Sequence, residues 1–251
     1  ESASEGQKVP PVVLINGSGA SDMDEQVYAY APFRDIAYGL AEKDIAVLRY
    51  DKRRYSYPTA DYSPVQTEVV DDALLAIALL KDRPEVNGDK VFILGHSMGG
   101  MLAPRIDLAG GNTAGLVLVA SSPYNLGEVA LYQSEKSIEA SRQIAGEEAY
   151  AQSMENLEAE KANLAAITQD LTEVEARGMT AFGIGGYYLQ DMMAHDHLAE
   201  LKQLQKPTLI LQGENDTQVY MDRDFARYQQ ELSGESWATL KSYPGLNHFF
   251  A

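Results

Sequence analysis

A serine lies in a glycine-rich pentapeptide between a predicted strand and a predicted helix. The segment 95–99 reads Gly-His-Ser-Met-Gly and directly follows the apolar run Val91–Leu94. A turn this sharp holds a serine above the end of a sheet, because glycines remove the side chains that would collide there. The N-terminus of the next helix favours negative charge developing at that place. The pattern predicts Ser97 as a nucleophile; the alternative is a glycine-rich turn with an incidental serine.

A serine nucleophile needs a base, and the chain has four histidines. His248 follows the last predicted strand and so reaches the carboxyl edge of a parallel sheet, where Ser97 also lies. Asp216 follows the predicted strand Thr208–Leu211, and an acid there would hold the required tautomer of His248. Glu214 is the alternative acid. The chain order Ser97, Asp216, His248 is the one expected of such a triad on an open α/β sheet.

Two backbone N–H groups are expected to stabilise the oxyanion of the reaction. One belongs to Met98, directly after the nucleophile, and the other to Ser18, in the loop after the first predicted strand. The flanking residues Gly17 and Gly19 let the backbone approach a substrate, and Gly17 is a candidate substrate contact; the alternative is a plain tight turn. Nucleotide binding is not predicted, because the loop lacks the GxGxxG spacing and a following lysine.

Three side chains are further candidate substrate contacts. His96 lies inside the nucleophile turn, and Tyr187 and Tyr188 lie in the glycine-rich stretch 178–193, which is interpreted as either a buried connector or a mobile lid. The pattern His-Asp-His at 195–197 resembles a metal site, but no third ligand is in view, so surface or helix-start polarity is the preferred interpretation.

Short apolar segments alternate with helical patterns over most of the chain, which indicates an α/β fold with a mostly parallel sheet covered on both faces. Six strands are predicted, at 12–16, 45–50, 91–94, 116–120, 208–211 and 238–243. Helices are predicted at 29–42, 65–81, 98–107, 198–205 and 222–232. The alternation of strands and helices is absent from residues 122–206. This segment is predicted to be a helical cap or lid inserted into a core formed by 1–121 and 207–251. Apolar residues recur along 154–174 at helical spacing, which predicts a single helix there.

Composition excludes several classes of function. The chain of 251 residues has no cysteine, which excludes disulfides and thiolate metal sites, and its net charge of −17 disfavours nucleic acid and anionic membranes as partners. No apolar run is long enough for a membrane-spanning helix. No cofactor is expected. The chain starts at Glu1 without an initiator methionine; processing or the choice of start point explains this, and an extracellular or cell-envelope protein is slightly favoured.

Five segments together resemble the serine hydrolases of the α/β-hydrolase superfamily. In chain order they are PVVLINGSG, RYDKR, VFILGHSMGG, LILQGENDTQV and PGLNHFF. The resemblance is to the branch with dienelactone-hydrolase-like and serine-aminopeptidase-like esterases. It implies the α/β-hydrolase fold, the triad Ser97, Asp216 and His248, a cap at 122–206, and a small-molecule ester as substrate.

Two departures from that family bear on the site and on assembly. Tyr55 follows Arg54 where the family usually has glycine, so that loop is expected to differ in shape. The first two strands of the family are not evident, which makes 45–50 an uncovered sheet edge, and such edges invite pairing. We expect an absent N-terminal portion or a second copy in a homodimer to cover it.

The predicted activity is carboxylic ester hydrolysis through an acyl-enzyme, on small or medium acyl or aromatic esters. A peptidase or amidase, or a thioesterase, would use the same triad. A non-catalytic ligand-binding protein on the same fold is the alternative from another class.

Overall fold

The structure, a computed structural model, describes residues 8–251. They form two compact units. The first contains residues 66–123 and 197–251 together with the described residues up to 62, and the second contains residues 63–65 and 124–196. The sequence placed the boundaries of an insertion at 122 and 206, whereas the helix His197–Leu204 groups with the first unit.

Six of the eight strands within the described residues form one sheet in the first unit. In chain order the strands are β1 Pro11–Ile15, β2 Ala46–Leu48, β3 Phe92–His96, β4 Gly115–Val119, β5 Thr180–Ala181, β6 Ile184–Gly185, β7 Thr208–Gly213 and β8 Ala238–Tyr243. The sheet order is β2-β1-β3-β4-β7-β8, and every pairing is parallel. The predicted α/β class with a six-stranded parallel sheet is confirmed.

The central strands β1, β3 and β4 are apolar because both of their faces are buried. All residues of β1 are buried, and Val13, Leu14, Ile93 and Leu118 are almost completely inaccessible to solvent. This burial explains why the strands are continuous apolar runs rather than alternating patterns. β2 lies at the edge of the described sheet and is only half-buried, as predicted. Whether another segment or another chain covers this edge stays a prediction.

Ten α-helices are described between residues 8 and 251. They are α1 Pro32–Ala41, α2 Arg53–Ser56, α3 Asp71–Lys81, α4 Met98–Ile106, α5 Leu126–Ala145, α6 Glu147–Ala166, α7 Glu173–Arg177, α8 Gly186–Met193, α9 His197–Leu204 and α10 Ala226–Glu231. Shorter helical turns are a 3₁₀ turn at Gly88–Lys90 and π-helical turns at Gln66–Val70, Asp107–Gly111 and Met221–Phe225. Within the described residues, no helix combines the length and the apolar character that a bilayer span requires.

The second unit consists of α5 to α8 and the two-stranded hairpin β5–β6. Its small core contains Ile167, Ala181 and Leu189. The prediction of a single helix along 154–174 is wrong: α6 ends at Ala166, and α7 starts only at Glu173. Ile167 leaves the helical region at φ −84° and ψ 94°, and Thr172 starts the new helix with a capping box. The apolar periodicity of the sequence continues beyond α6 because the Ile167 side chain still packs into the core of the second unit after the backbone has left the helical region.

Candidate active site

Ser97 lies in a strained turn between β3 and α4. Its backbone has φ 52° and ψ −120°, in the left-handed half of conformational space, which non-glycine residues adopt only when their surroundings force them. A Cβ on Gly95 would lie 2.2 Å from the Gly99 carbonyl oxygen, and a Cβ on Gly99 would lie 2.1 Å from the Ile15 carbonyl oxygen. Side chains are therefore excluded at both glycines, and the sharp turn expected from the pentapeptide is present.

Asp216 and His248 form a buried pair at the carboxyl edge of the sheet. Asp216 Oδ2 lies 2.8 Å from His248 Nδ1 and also accepts a hydrogen bond of 2.9 Å from Gln212 Nε2. Its other oxygen, Oδ1, accepts hydrogen bonds from the backbone N–H groups of Gln218 and Val219 at 2.8 and 2.9 Å. The carboxylate is thus fixed by four donors. It binds the Nδ1 proton of the neutral imidazole, which makes Nε2 the basic nitrogen.

Burial and neighbouring groups determine the pKa values of Asp216 and His248. Burial alone would raise the pKa of Asp216, but the hydrogen bond and charge of His248 and the two backbone donors outweigh it and lower the pKa below its ordinary value. Burial lowers the pKa of His248, and the charge of nearby His96 adds to this lowering, while Asp216 opposes it. The arrangement therefore favours an ionised Asp216 beside a neutral His248 at neutral pH, which is the state a general base requires.

The loop after β1 lies against the nucleophile turn. A Cβ on Gly17 would lie 3.2 Å from Ser97 Cβ, so the two backbones approach closely. The Gly17 N–H donates a hydrogen bond of 2.5 Å to Glu25 Oε1, and the Gly17 carbonyl accepts one of 2.9 Å from Lys52 Nζ. Ser18, the next residue, is exposed. The register of the sheet explains the approach, because Ile15 of β1 pairs with Gly95 of β3.

His96 is buried between the loop after β1 and the loop that carries His248. Its Nε2 donates a hydrogen bond of 2.9 Å to the His248 carbonyl, and its Nδ1 lies 3.0 Å from Glu25 Oε2. Burial alone would lower the pKa of His96, but the Glu25 carboxylate and the His248 carbonyl raise it above its ordinary value. Both ring nitrogens face protein groups, so a substrate could contact His96 only through ring carbons.

Sequence reasoning missed Glu25, because its contacts to Gly17 and His96 exist only after the chain has folded. An aromatic neighbour was also missed, although it lies next to the predicted base. The Phe249 ring is 5.3 Å from the His248 ring and 5.6 Å from the His96 ring, and it stacks on Tyr30 at 6.2 Å. The two consecutive phenylalanines after the candidate histidine, Phe249 and Phe250, are the signal that could have indicated it.

The two remaining predicted substrate contacts, Tyr187 and Tyr188, lie in the second unit. The Arg177 guanidinium lies 4.7 Å above the Tyr187 ring, and Tyr188 is buried in that unit. A role for either tyrosine in substrate binding stays a prediction. His197 is buried at the start of α9. In the part of the chain that the structure describes, no three His, Asp or Glu side chains are grouped so that they could hold a metal ion.

Comparison with known proteins relates this site to a family. Residues 12–251 match the alpha/beta hydrolase family. Esterase EstD from Thermotoga maritima is 34% identical over 241 residues, which cover 95% of this chain and 54% of that protein. The chain thus spans about half the length of this relative.

Solved structures share the fold at low identity. Est1E from Butyrivibrio proteoclasticus has a TM-score of 0.62 at 15% identity, covering 99% of this chain and 84% of its own. The Pyrococcus furiosus esterase Pf2001 has a TM-score of 0.59 at 16% identity, and the match covers 96% of this chain and 75% of the esterase chain. These likenesses show the same fold, and the family match together with the relative of 34% identity confirms the predicted family. The chain belongs to the alpha/beta hydrolase family.

Proposed function

We propose that this protein is a serine carboxylic ester hydrolase acting through an acyl-enzyme on small or medium acyl or aromatic esters. The observation that carries the proposal is the buried His248–Asp216 pair, 2.8 Å apart, at the sheet edge where Ser97 occupies its strained turn. The likeness to Esterase EstD supports the choice of esters over other acyl compounds.

The reaction proceeds in two halves. Ser97 Oγ attacks the ester carbonyl carbon while His248 Nε2 takes its proton, and the N–H groups of Met98 and Ser18 stabilise the oxyanion. His248 then protonates the leaving alcohol oxygen as the carbon–oxygen bond breaks, which leaves the acyl group on Ser97. In the second half, His248 deprotonates a water molecule that attacks the acyl carbon. The acid leaves, and the proton returns to Ser97.

Residues 122–206 are proposed as a cap that shapes the acyl pocket, with Tyr187 and Tyr188 as substrate contacts. The support is compositional: the stretch 178–193 is rich in aromatic and Met side chains, which suit apolar or aromatic acyl groups. The preferred acyl length measures the size of this pocket. If Tyr187 contacts the acyl group, Tyr187→Ala should raise KM for aromatic esters while changing kcat little.

The decisive experiment is hydrolysis of p-nitrophenyl esters from acetyl to long acyl by the wild type and by Ser97→Ala. We expect the substitution to lower kcat by about 10⁴-fold or more, because it removes the attacking oxygen. Ser233→Ala, at an exposed serine of the first unit, is the matched control and should hydrolyse the esters like the wild type. A phosphonate probe should add its mass at Ser97 only.

Three results would contradict the proposal. Unchanged hydrolysis by Ser97→Ala would rule out this nucleophile. No ester hydrolysis by the wild type, with cleavage of anilide substrates instead, would identify an amidase using the same groups. Wild-type protein that binds the phosphonate reversibly and turns over neither class would favour a ligand-binding protein.

A further inference from the structure

Four ionisable side chains outside the proposed triad are buried in the first unit next to the site. Glu25, Lys52, Glu68 and His96 are 3, 3, 2 and 4% exposed. Burying charges is costly unless each is paired, and apolar side chains of similar volume would usually serve stability as well or better. Their contacts therefore indicate what they do.

The first contacts hold the loop after β1 from both sides. Glu25 Oε1 accepts the Gly17 N–H at 2.5 Å, and Lys52 Nζ donates to the Gly17 carbonyl at 2.9 Å. Lys52 is itself paired with Glu68, whose Oε1 is 3.5 Å from Nζ. The peptide groups on either side of Gly17 are thus fixed, and one of them is the Gly17–Ser18 peptide, whose N–H is the proposed oxyanion donor.

The second contacts connect this loop to the proposed base. Glu25 Oε2 lies 3.0 Å from His96 Nδ1, and His96 Nε2 lies 2.9 Å from the His248 carbonyl oxygen. A carbonyl only accepts hydrogen bonds, so Nε2 must carry a proton, and a carboxylate beside Nδ1 favours a second proton there. The carboxylate and the carbonyl dipole on either side therefore favour the imidazolium form of His96.

The backbone of Glu25 is also unusual. Its φ of 52° lies in the left-handed region, which is unfavourable for a residue with a Cβ atom. Strain of this kind persists where the surrounding contacts determine one conformation, and such positions are concentrated at functional sites. In this conformation Glu25 Oε1 accepts the Gly17 N–H, and Oε2 faces His96 Nδ1 at the end of β3.

We propose that Glu25, His96 and Lys52 are positioning residues that clamp the Gly17–Ser18 peptide to the loop carrying His248, so that the oxyanion donor and the base keep a fixed separation. The inference rests on the proposed function, because it assigns these residues a task in that reaction. None of the three exchanges a proton with the substrate. They act through Ser18 and His248.

This role predicts an effect on kcat rather than on KM, because the oxyanion is absent from the bound ester and forms only in the tetrahedral intermediate and its flanking transition states. Glu25→Ala should lower kcat for p-nitrophenyl acetate by about 10²-fold, comparable to the loss of one oxyanion donor, with little change in KM. Glu25→Gln retains a carbonyl that accepts the Gly17 N–H but removes the charge beside His96, and should lower kcat by about tenfold. Glu42→Gln, at an exposed glutamate after α1, is the control of equal charge change.

A pH profile separates positioning from a purely structural role. The charged or titratable groups acting on His248 are Asp216, His96 and Glu25. The ring centroids of His96 and His248 are 4.8 Å apart, so a positive charge on His96 disfavours protonation of His248. His96→Gln removes that charge, so the pKa of His248 should rise and the acidic limb of kcat/KM should move to higher pH. A substitution that merely loosens the fold would lower activity without moving this limb.

The outcomes distinguish the clamp from the proposed function. The function stands if the wild type hydrolyses esters and Ser97→Ala does not. In that case the clamp is refuted if all Glu25 and His96 variants match Glu42→Gln in kcat and in pH profile. If wild type and Ser97→Ala are equally active or equally inactive, the function fails first. Thermal unfolding of each variant checks folding, and the isosteric Glu25→Gln tests the clamp if Glu25→Ala does not fold.

Discussion

Asp216 uses its two oxygens for two tasks: Oδ1 anchors the carboxylate to its own loop, and Oδ2 contacts His248. Asp216→Asn should lower kcat for ester hydrolysis by about 10²–10⁴-fold, because an amide N–H facing Nδ1 favours the wrong tautomer of His248. Steady-state kinetics with p-nitrophenyl acetate measures the loss, and a phosphonate-labelling rate that falls in parallel would locate it in the attack step.

Glu214, the other acid of the same loop, supplies the matched control. It is exposed and accepts a hydrogen bond from Ser242 Oγ at 2.8 Å rather than one from His248. Glu214→Gln should therefore keep the activity of the wild type. If Glu214→Gln lost activity and Asp216→Asn did not, the acid assignment would be reversed.

The pH dependence of activity follows from the environment of His248. In the proposed mechanism only the neutral imidazole accepts the Ser97 proton, so activity should rise as the pH increases through the pKa of His248. Burial and the charge of His96 lower this pKa. The acidic limb of kcat/KM should therefore have its midpoint below about 6.5, the ordinary value for histidine. Initial rates from pH 4 to 9 measure the midpoint, and a value above that of free histidine would contradict the assignment.

At the scale of elements, the site depends on how closely α4 approaches β1. A Cβ on Gly99 would lie 2.1 Å from the Ile15 carbonyl oxygen and 2.7 Å from that of Asn16. Gly99→Ala must therefore push the helix away from the strand, and we expect a loss of at least about 2 kcal/mol in unfolding free energy, together with loss of ester hydrolysis. Urea denaturation measures the unfolding free energy, and the p-nitrophenyl assay measures ester hydrolysis.

Gly39 offers the matched control for this prediction. It is exposed within α1, and a Cβ there would meet no atom within 4 Å. Gly39→Ala should stabilise the protein by about 0.5–1 kcal/mol through helix propensity, with unchanged activity. If both substitutions had the same effect, close packing at Gly99 would not be the reason for glycine there.

At the scale of the whole molecule, the net charge of −17 sets the response to salt. Like charges repel one another in the compact state, and raising ionic strength from about 10 mM to 150 mM shortens the screening length from about 30 Å to 8 Å. The opposing loss of surface ion pairs, such as Arg142–Glu147, is small because these pairs are exposed. The Tm should therefore rise with NaCl. Differential scanning fluorimetry measures it, and a falling Tm would show that ion pairs outweigh the repulsion.

Several features of this protein could be predicted from its sequence because their causes are local. Continuous apolar runs such as β1 and β4 indicate strands buried on both faces, and the glycines around Ser97 indicate a turn that tolerates no side chains. Parallel strands bring the loops after β3, β7 and β8 to one edge, so the meeting of Asp216 and His248 also follows from chain order. Local patterns were less reliable in the second unit, where the mostly polar α6 has little apolar periodicity and Ile167, beyond its end, packs into the same core.

Tertiary structure alone decided which groups surround the proposed triad. His96 and the His248 carbonyl lie 152 positions apart in the chain, and no local pattern pairs them. The same holds for Glu25, which becomes a partner of both Gly17 and His96 only when the loop after β1 folds back beside β3. The sequence determines elements through backbone sterics and hydrophobic burial, which act between near neighbours. Contacts between buried charges depend on side-chain positions within an ångström, and only the packed fold fixes these.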